Sequence, residues 1–149
     1  MDLTGAKQFN LDAKGRLTLP ANYRKQFDKQ LRLIPLEDAL YGFTPEGFKE
    51  WVEGMFTDKD GGFDPRNPED VELHDLLYAM ATTIDIDSAG RIALGKIDAS
   101  DPTARQRLGI EGEVVVTGAG DHFKVMSTQA WAAKQENYAA RIAKLMYRR

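Results

Sequence analysis

The chain contains no cysteine among its 149 residues, which excludes a disulfide framework and every thiolate metal site. Histidine is nearly as scarce, with only His74 and His122 available as imidazole bases or ligands. No apolar run approaches the roughly 18 residues needed to cross a bilayer. Met1-Asp2-Leu3-Thr4-Gly5 lacks the basic segment and apolar run of a secretory signal. Long polar or Pro/Gly/Ser-rich tracts are missing too, so an ordered globular protein is expected rather than a disordered one. These absences predict a cytoplasmic protein with no membrane partner.

The usual catalytic patterns are also missing. His122 stands where a strand begins and reads as a sheet or surface residue. His74 lies between Glu72 and Asp75 on a predicted helix and reads as part of a solvated face. Serines and threonines have no neighbouring His/Asp context. Asp58-Lys59-Asp60-Gly61-Gly62 departs from a calcium loop at its fifth position, where glycine supplies no side-chain ligand. Gly118-Ala119-Gly120 has no Lys-Ser/Thr after it, so it is not a phosphate loop. The sequence therefore predicts no enzyme, no metal, no cofactor and no small-molecule substrate.

What the chain does have is a phrase used twice. Leu11-Asp12-Ala13-Lys14-Gly15-Arg16-Leu17-Thr18-Leu19 returns as Ile86-Asp87-Ser88-Ala89-Gly90-Arg91-Ile92-Ala93-Leu94. Each copy is a hydrophobic residue, Asp, two variable positions, Gly, Arg and a hydrophobic alternation. The repeat predicts two small modules sharing one unit: residues 5–57, a linker and connecting helix over 58–82, and residues 83–149.

The flanks repeat as well. Gln8 to Leu11 and Leu17 to Leu19 read as short strands around a turn whose glycine supplies a left-handed residue and whose Asp12 accepts turn amides. Pro20 stops the second strand, and Ala21 to Phe27 reads as a helix with Tyr23 and Phe27 on one face. A strand through Leu31 and Leu33 and another over Ala39 to Phe43 lead to a helix capped by Thr44, with Pro45 at its first position. Asp58 to Pro68 is dense in turn formers, and a helix follows through Val71 to Ala81. The second copy runs Thr83 to Ile86, the turn, Ile92 to Leu94, an insertion through Pro102 and a short helix over Thr103 to Leu108. The strands Glu113 to Thr117 and His122 to Met126 follow as a hairpin turned at Ala119-Gly120-Asp121, and Ser127 caps one last helix bearing Trp131, Tyr138, Ile142 and Leu145. Phe48 occupies in the first copy the place of Trp131 in the second, and both are expected in core or oligomer contacts.

Net charge is −3, which taken as a total disfavours a polyanionic partner. Its distribution does not. Residues 1–36 hold seven Lys/Arg against three acids, whereas residues 37–72 hold eleven acids against three bases. A basic face beside an acidic one is therefore open to the fold. Lys14, Arg16, Arg91, Lys7 and Arg24 are the candidates for phosphate oxygens, the arginines also for bidentate contacts to base edges. Asp12 and Asp87 would repel phosphate if free, so with Gly15 and Gly90 they are expected to hold the loops and orient the arginines.

The run LDAKGRLTLPANYR over Leu11–Arg24, joined to Ile86-Asp87-Ser88-Ala89-Gly90-Arg91-Ile92, resembles the bacterial MraZ family of transcriptional regulators. Gly109 to Gly118, Phe123-Lys124-Val125 and Trp131 extend the resemblance over nearly the whole chain. It implies a mixed α/β protein with a mainly β core, a duplicated AbrB-like swapped-hairpin β-barrel with flanking helices. It further implies a ring-shaped homo-oligomer that binds double-stranded DNA at short direct repeats upstream of the division and cell-wall gene cluster, hence a nucleoid location. The competing expectation is a non-enzymatic structural or protein-binding ring module without DNA binding. Gly95 stands where the family has proline, and Ala89 lacks the charge of Lys14; Gly47-Phe48 also replaces a tryptophan-containing helix start.

Overall fold

Hydrophobic alternation produces strands close to where the pattern places them. Gln30–Pro35 pairs with Leu40–Phe43 and Glu113–Gly118 with Phe123–Ser127, but the other partners lie far away in sequence. A computed structural model describes residues 1–58 and 60–148; Lys59, in the predicted linker, and Arg149, in the basic C-terminal end, lie outside the described residues. The elements run β1 (Ala6–Asn10), β2 (Arg16–Thr18), α1 (Ala21–Arg24), β3 (Gln30–Pro35), β4 (Leu40–Phe43), α2 (Pro45–Gly54) and α3 (Pro68–Met80). Then come β5 (Thr82–Asp85), β6 (Arg91–Ala93), a 3-10 helix (Leu94–Ala99), α4 (Ala104–Leu108), β7 (Glu113–Gly118), β8 (Phe123–Ser127), α5 (Thr128–Gln135) and α6 (Tyr138–Tyr147).

Among the described residues a six-stranded sheet has the order β1-β7-β8-β4-β3-β5, and β2 pairs only with β6. The order is a palindrome: exchanging each first-copy strand for its second-copy counterpart returns the same sheet. Its middle is the β4·β8 pair, where Tyr41 faces Lys124. The middle of the small ribbon is Leu17 facing Ile92. Neighbouring strands around each turn do not form a hairpin; β1 instead takes β7, and β5 takes β3.

The expected barrel is not formed. The large sheet keeps β1 and β5 as open edges, and the ribbon stands as a separate sheet. The reason lies in the lengths. β2 and β6 are three residues each, ended by Pro20, which has no N–H to donate, and by the 3-10 helix that starts at Leu94. Only turn-closing bonds tie them to the strands before them: Asp12 N–H to Arg16 O at 3.1 Å and Asp87 N–H to Arg91 O at 3.0 Å. One closing bond is not a ladder.

Side-chain alternation divides the large sheet into two faces. On one, Leu31, Leu33, Leu40, Val114, Val116, Phe123 and Val125 form the main core with Leu17 and Ile92 of the ribbon and Ile97 and Ala104 beyond it. On the other, Ile34 and Phe43 pack under Phe48, Val52 and Leu77 of α2 and α3. Val115 and Met126 pack on that same side under Trp131 of α5. Gly42 makes the first face possible: a side chain there would collide with the Phe123 ring opposite. That ring is wedged between Tyr23 and Phe27, at centroid distances of 5.7 and 5.6 Å.

The caps follow the sequence. Thr44 Oγ1 accepts from Gly47 N–H at 2.9 Å with Pro45 in the first turn, and Ser127 Oγ accepts from Ala130 N–H at 3.0 Å. Two helices differ from expectation. The first is only Ala21–Arg24, after which Phe27 reaches the core from a turn. The last is two helices, because Asn137 adopts the left-handed conformation at φ 55°, which asparagine tolerates better than most residues. Trp131 therefore packs half-buried on the sheet, while Ile142 and Leu145 on α6 are 50% and 56% exposed. Phe48 is fully buried and belongs to the core; α3 covers it, with Tyr78 edge-on at 5.2 Å. His122 precedes β8 and is largely enclosed, stacked on Tyr41 and Phe43 at 5.4 and 4.8 Å.

Candidate nucleic-acid interface

Each repeated turn is built around one carboxylate. Asp12 Oδ1 accepts the N–H groups of Lys14 and Arg16 at 2.9 and 2.8 Å, and its Oδ2 accepts Arg16 Nε at 2.6 Å. Asp87 repeats the set on Ala89, Arg91 and Arg91 Nε at 3.0, 2.8 and 2.8 Å. Gly15 and Gly90 N–H close the turns on the Asp12 and Asp87 carbonyls, both at 2.9 Å, with φ of +72° and +78°. Both carboxyls are held below the usual aspartate range, first by the backbone N–H of Arg16 or Arg91 and then by that residue's guanidinium. They stay ionised and grip Nε, so the terminal guanidinium nitrogens remain available for charge-assisted bonds to an anion.

The ribbon presents these arginines together. Leu17 and Ile92 point into the core and are fully buried; period-two alternation then puts Arg16, Thr18, Arg91 and Ala93 on the outer face. Arg16 pairs with Ala93 and Arg91 with Thr18, so the arginines are diagonal neighbours, about 7–8 Å apart at Cα for such a pair. A two-stranded ribbon is one of the elements that fits the major groove of B-DNA.

Arginines from the helices that follow reach across to the opposite turn. Arg24, at the end of α1, lies on Gly90 of the second turn, with Nη2 3.4 Å from Ser88 O. Arg105, in α4, lies beside Gly15 of the first turn: Nη1 is 3.6 Å from where a Cβ on Gly15 would be, and Nη2 is 3.5 Å from the same position on Gly95. Asp98 of the 3-10 helix holds Arg105 by two bonds, to Nε at 3.1 Å and to Nη2 at 2.6 Å. The side-chain bond with Arg105 holds the Asp98 carboxyl low and raises the guanidinium pKa. An open groove of about 340 Å³ runs between Lys14, Gly15, Arg105 and Gly112, with the acids Asp12 and Glu111 also on its wall.

Residues 3–59 match the family model described as "MraZ protein, putative antitoxin-like". The transcriptional regulator MraZ of Photorhabdus laumondii is 32% identical over 133 residues, covering 85% of this chain and 80% of the relative. That of Burkholderia vietnamiensis is 31% identical over 137 residues, covering 89% and 87%. That of Alcanivorax borkumensis is 27% identical over 135 residues, covering 87% and 85%. The chain belongs to the MraZ family.

Within this MraZ member the structure gathers most, not all, of the residues singled out in the sequence. Arg16 and Arg91 share the ribbon face, Lys14 stands exposed on the first turn, and Arg24 joins the second turn rather than the first. Lys7 is set apart on the edge strand β1, its ammonium 5.6 Å over the Phe9 ring. Asp12, Gly15, Asp87 and Gly90 hold the loops as described. Thr18 and Arg105 were not singled out. Thr18 could have been found from the alternation that faces Arg16 outward; Arg105 had no local signal, because its place depends on an exchange between copies. Among the described residues no helix is long and apolar enough to cross a membrane.

Proposed function

We propose that the chain is a sequence-specific DNA-binding transcriptional regulator and that the outer face of the β2–β6 ribbon is its reading surface. One observation carries the proposal: two equivalent turns place Arg16 and Arg91 diagonally on one exposed ribbon, each pre-oriented through Nε by its own aspartate. Lys14 and Arg24 add phosphate-binding charge at the two ends. The palindromic arrangement gives the ribbon a local two-fold, so both turns can approach one stretch of duplex in related poses.

The likeness to MraZ regulators extends the reading to short direct repeats upstream of the division and cell-wall gene cluster, bound by a ring of subunits near the nucleoid. Several weak ribbons on one ring would gain affinity by engaging consecutive repeats. The exposed apolar side chains of α6, Tyr138, Ile142, Leu145 and Met146, support association between copies.

The test is a gel-shift titration of the protein's own upstream region against scrambled duplex at two salt concentrations. Preference for the native fragment, lost in Arg16→Ala/Arg91→Ala, is expected. Each phosphate contact removed should lower the slope of log K against log salt by about 0.9. Unchanged binding by the double variant refutes this surface. Absence of any DNA retention at low salt returns the chain to the competing reading, a ring module without DNA binding.

A further inference from the structure

The two copies use one helix arginine alike after the turn. In the first, α1 ends with Arg24, which crosses to the glycine of the second turn. Aligning the helices on their core-facing residues, Tyr23 and Phe27 with Ala104 and Leu108, the counterpart of Arg24 is Arg105. Arg107 does not reach the first turn. Its Nη1 bonds Leu36 O at 3.1 Å and its Nη2 faces Asp101 at 3.4 Å. The side chain that does reach Gly15 is Arg105, two positions earlier.

Arginines at equivalent positions of the two helices thus arrive at equivalent glycines. The second copy's insertion adds a support that the first lacks: its 3-10 helix supplies both Asp98, which takes two edges of the Arg105 guanidinium, and Gly95, whose bare side lets that guanidinium lie against the end of β6. Asp98 occupies Nε and Nη2, and no bond among the described residues takes Nη1, the atom nearest Gly15. The guanidinium side chain is 36% exposed, on the groove shared with Lys14.

We propose that Arg105 is a DNA-phosphate contact of the first turn, the counterpart there of Arg24 at the second, with Asp98 as its positioning residue. The ligand is a duplex backbone phosphate beside the ribbon, met by Nη1 of Arg105 and the ammonium of Lys14. This inference rests on the ribbon reading.

Its test compares Arg105→Ala with Arg107→Ala on the upstream duplex across a salt series, with Arg16→Ala in parallel. Arg105→Ala should weaken binding roughly fivefold per engaged subunit at 0.15 M salt and reduce the salt slope by about 0.9 per engaged subunit. Arg107→Ala should leave both unchanged. Arg105→Gln keeps a donor for Asp98 without the charge and should repeat the loss, which covers reduced folding of the alanine variant. If Arg16→Ala weakens binding but Arg105→Gln matches wild type, the Arg105 assignment is overturned while the ribbon stands. If Arg16→Ala also has no effect, the ribbon reading itself has failed.

Discussion

Alanine at the two turn glycines should separate backbone strain from DNA contact. Gly15 and Gly90 both have left-handed φ, +72° and +78°, so alanine at either carries the same conformational cost, about 1–2 kcal/mol. For a chain of this size that is roughly 2–8 °C in Tm. The surroundings differ. A Cβ on Gly15 meets only Arg105 Nη1, at an ordinary 3.6 Å. A Cβ on Gly90 would fall within the Arg24 side chain, against Nε, Cζ and Cδ at once. Arg24 is held there by a single long bond of 3.4 Å to Ser88 O, so it swings away rather than resisting. The two variants should therefore lose similar stability in thermal melts, while only Gly90→Ala loses a phosphate contact, roughly fivefold in affinity at 0.15 M salt. The decisive comparison is the double variant Arg24→Ala/Gly90→Ala, which should bind DNA no worse than Arg24→Ala, since the second change removes nothing that remains. Additive losses in the double variant, or equal losses of binding in Gly15→Ala, refute the reasoning.

Asp12 and Asp87 have depressed pKa values in the folded chain, so their contribution is complete above the unfolded value near 3.8 and is lost as pH falls below it. The stability gap between wild type and Asp12→Asn/Asp87→Asn should accordingly narrow between pH 5 and pH 3 in thermal melts; a constant gap contradicts the assignment. Gly42→Ala forces a methyl group into the fully buried Phe123 ring and should cost about 1–3 kcal/mol by overpacking, read by denaturant titration. Ile142→Glu/Leu145→Glu changes side chains that are 50% and 56% exposed; sedimentation should show smaller assemblies with unchanged circular dichroism.

How much of this was legible in sequence depends on how local each determinant is. The turns were, because Asp, Gly and Arg act within five residues, and the bonds from Asp12 and Asp87 are what that spacing allows. Thr44 and Ser127 were legible as caps for the same reason. The β7–β8 hairpin was legible from its turn residues, but long-range strand partners were not: periodicity gives the face of a strand but not its neighbour, and β1 pairs with a strand beyond the linker. Barrel closure failed as an expectation because it hinges on ladder lengths at Pro20 and Leu94, which a motif does not carry. The single last helix failed on one residue, Asn137, whose left-handed backbone separates Trp131 from Tyr138. Arg105 escaped notice because the insertion after the second turn breaks the spacing that ties Arg24 to the first.

An acidic chain proposed to hold a polyanion gains when most of its acids lie elsewhere, and the layering provides that for the helix acids, leaving Asp12 and Glu111 beside the first turn. Glu50 and Glu53 on α2 and Glu69, Glu72 and Asp75 on α3 belong to the helices that cover the face of the large sheet opposite the ribbon. A sheet-to-sheet layer of about 10 Å and a helix layer of about 10–12 Å put roughly 20 Å between those carboxylates and a phosphate on the ribbon. The Debye length at 0.15 M salt is about 8 Å, so their repulsion is largely screened there. At 0.01 M it is about 30 Å, and the same acids are felt. Glu69→Gln/Glu72→Gln/Asp75→Asn should therefore change DNA affinity less than about twofold at 0.15 M and raise it clearly at 0.01 M. Arg16→Ala should weaken binding at both. A several-fold gain from the neutralised helix at 0.15 M would put the DNA near α3 and off the ribbon, because at that salt only a nearby charge can act.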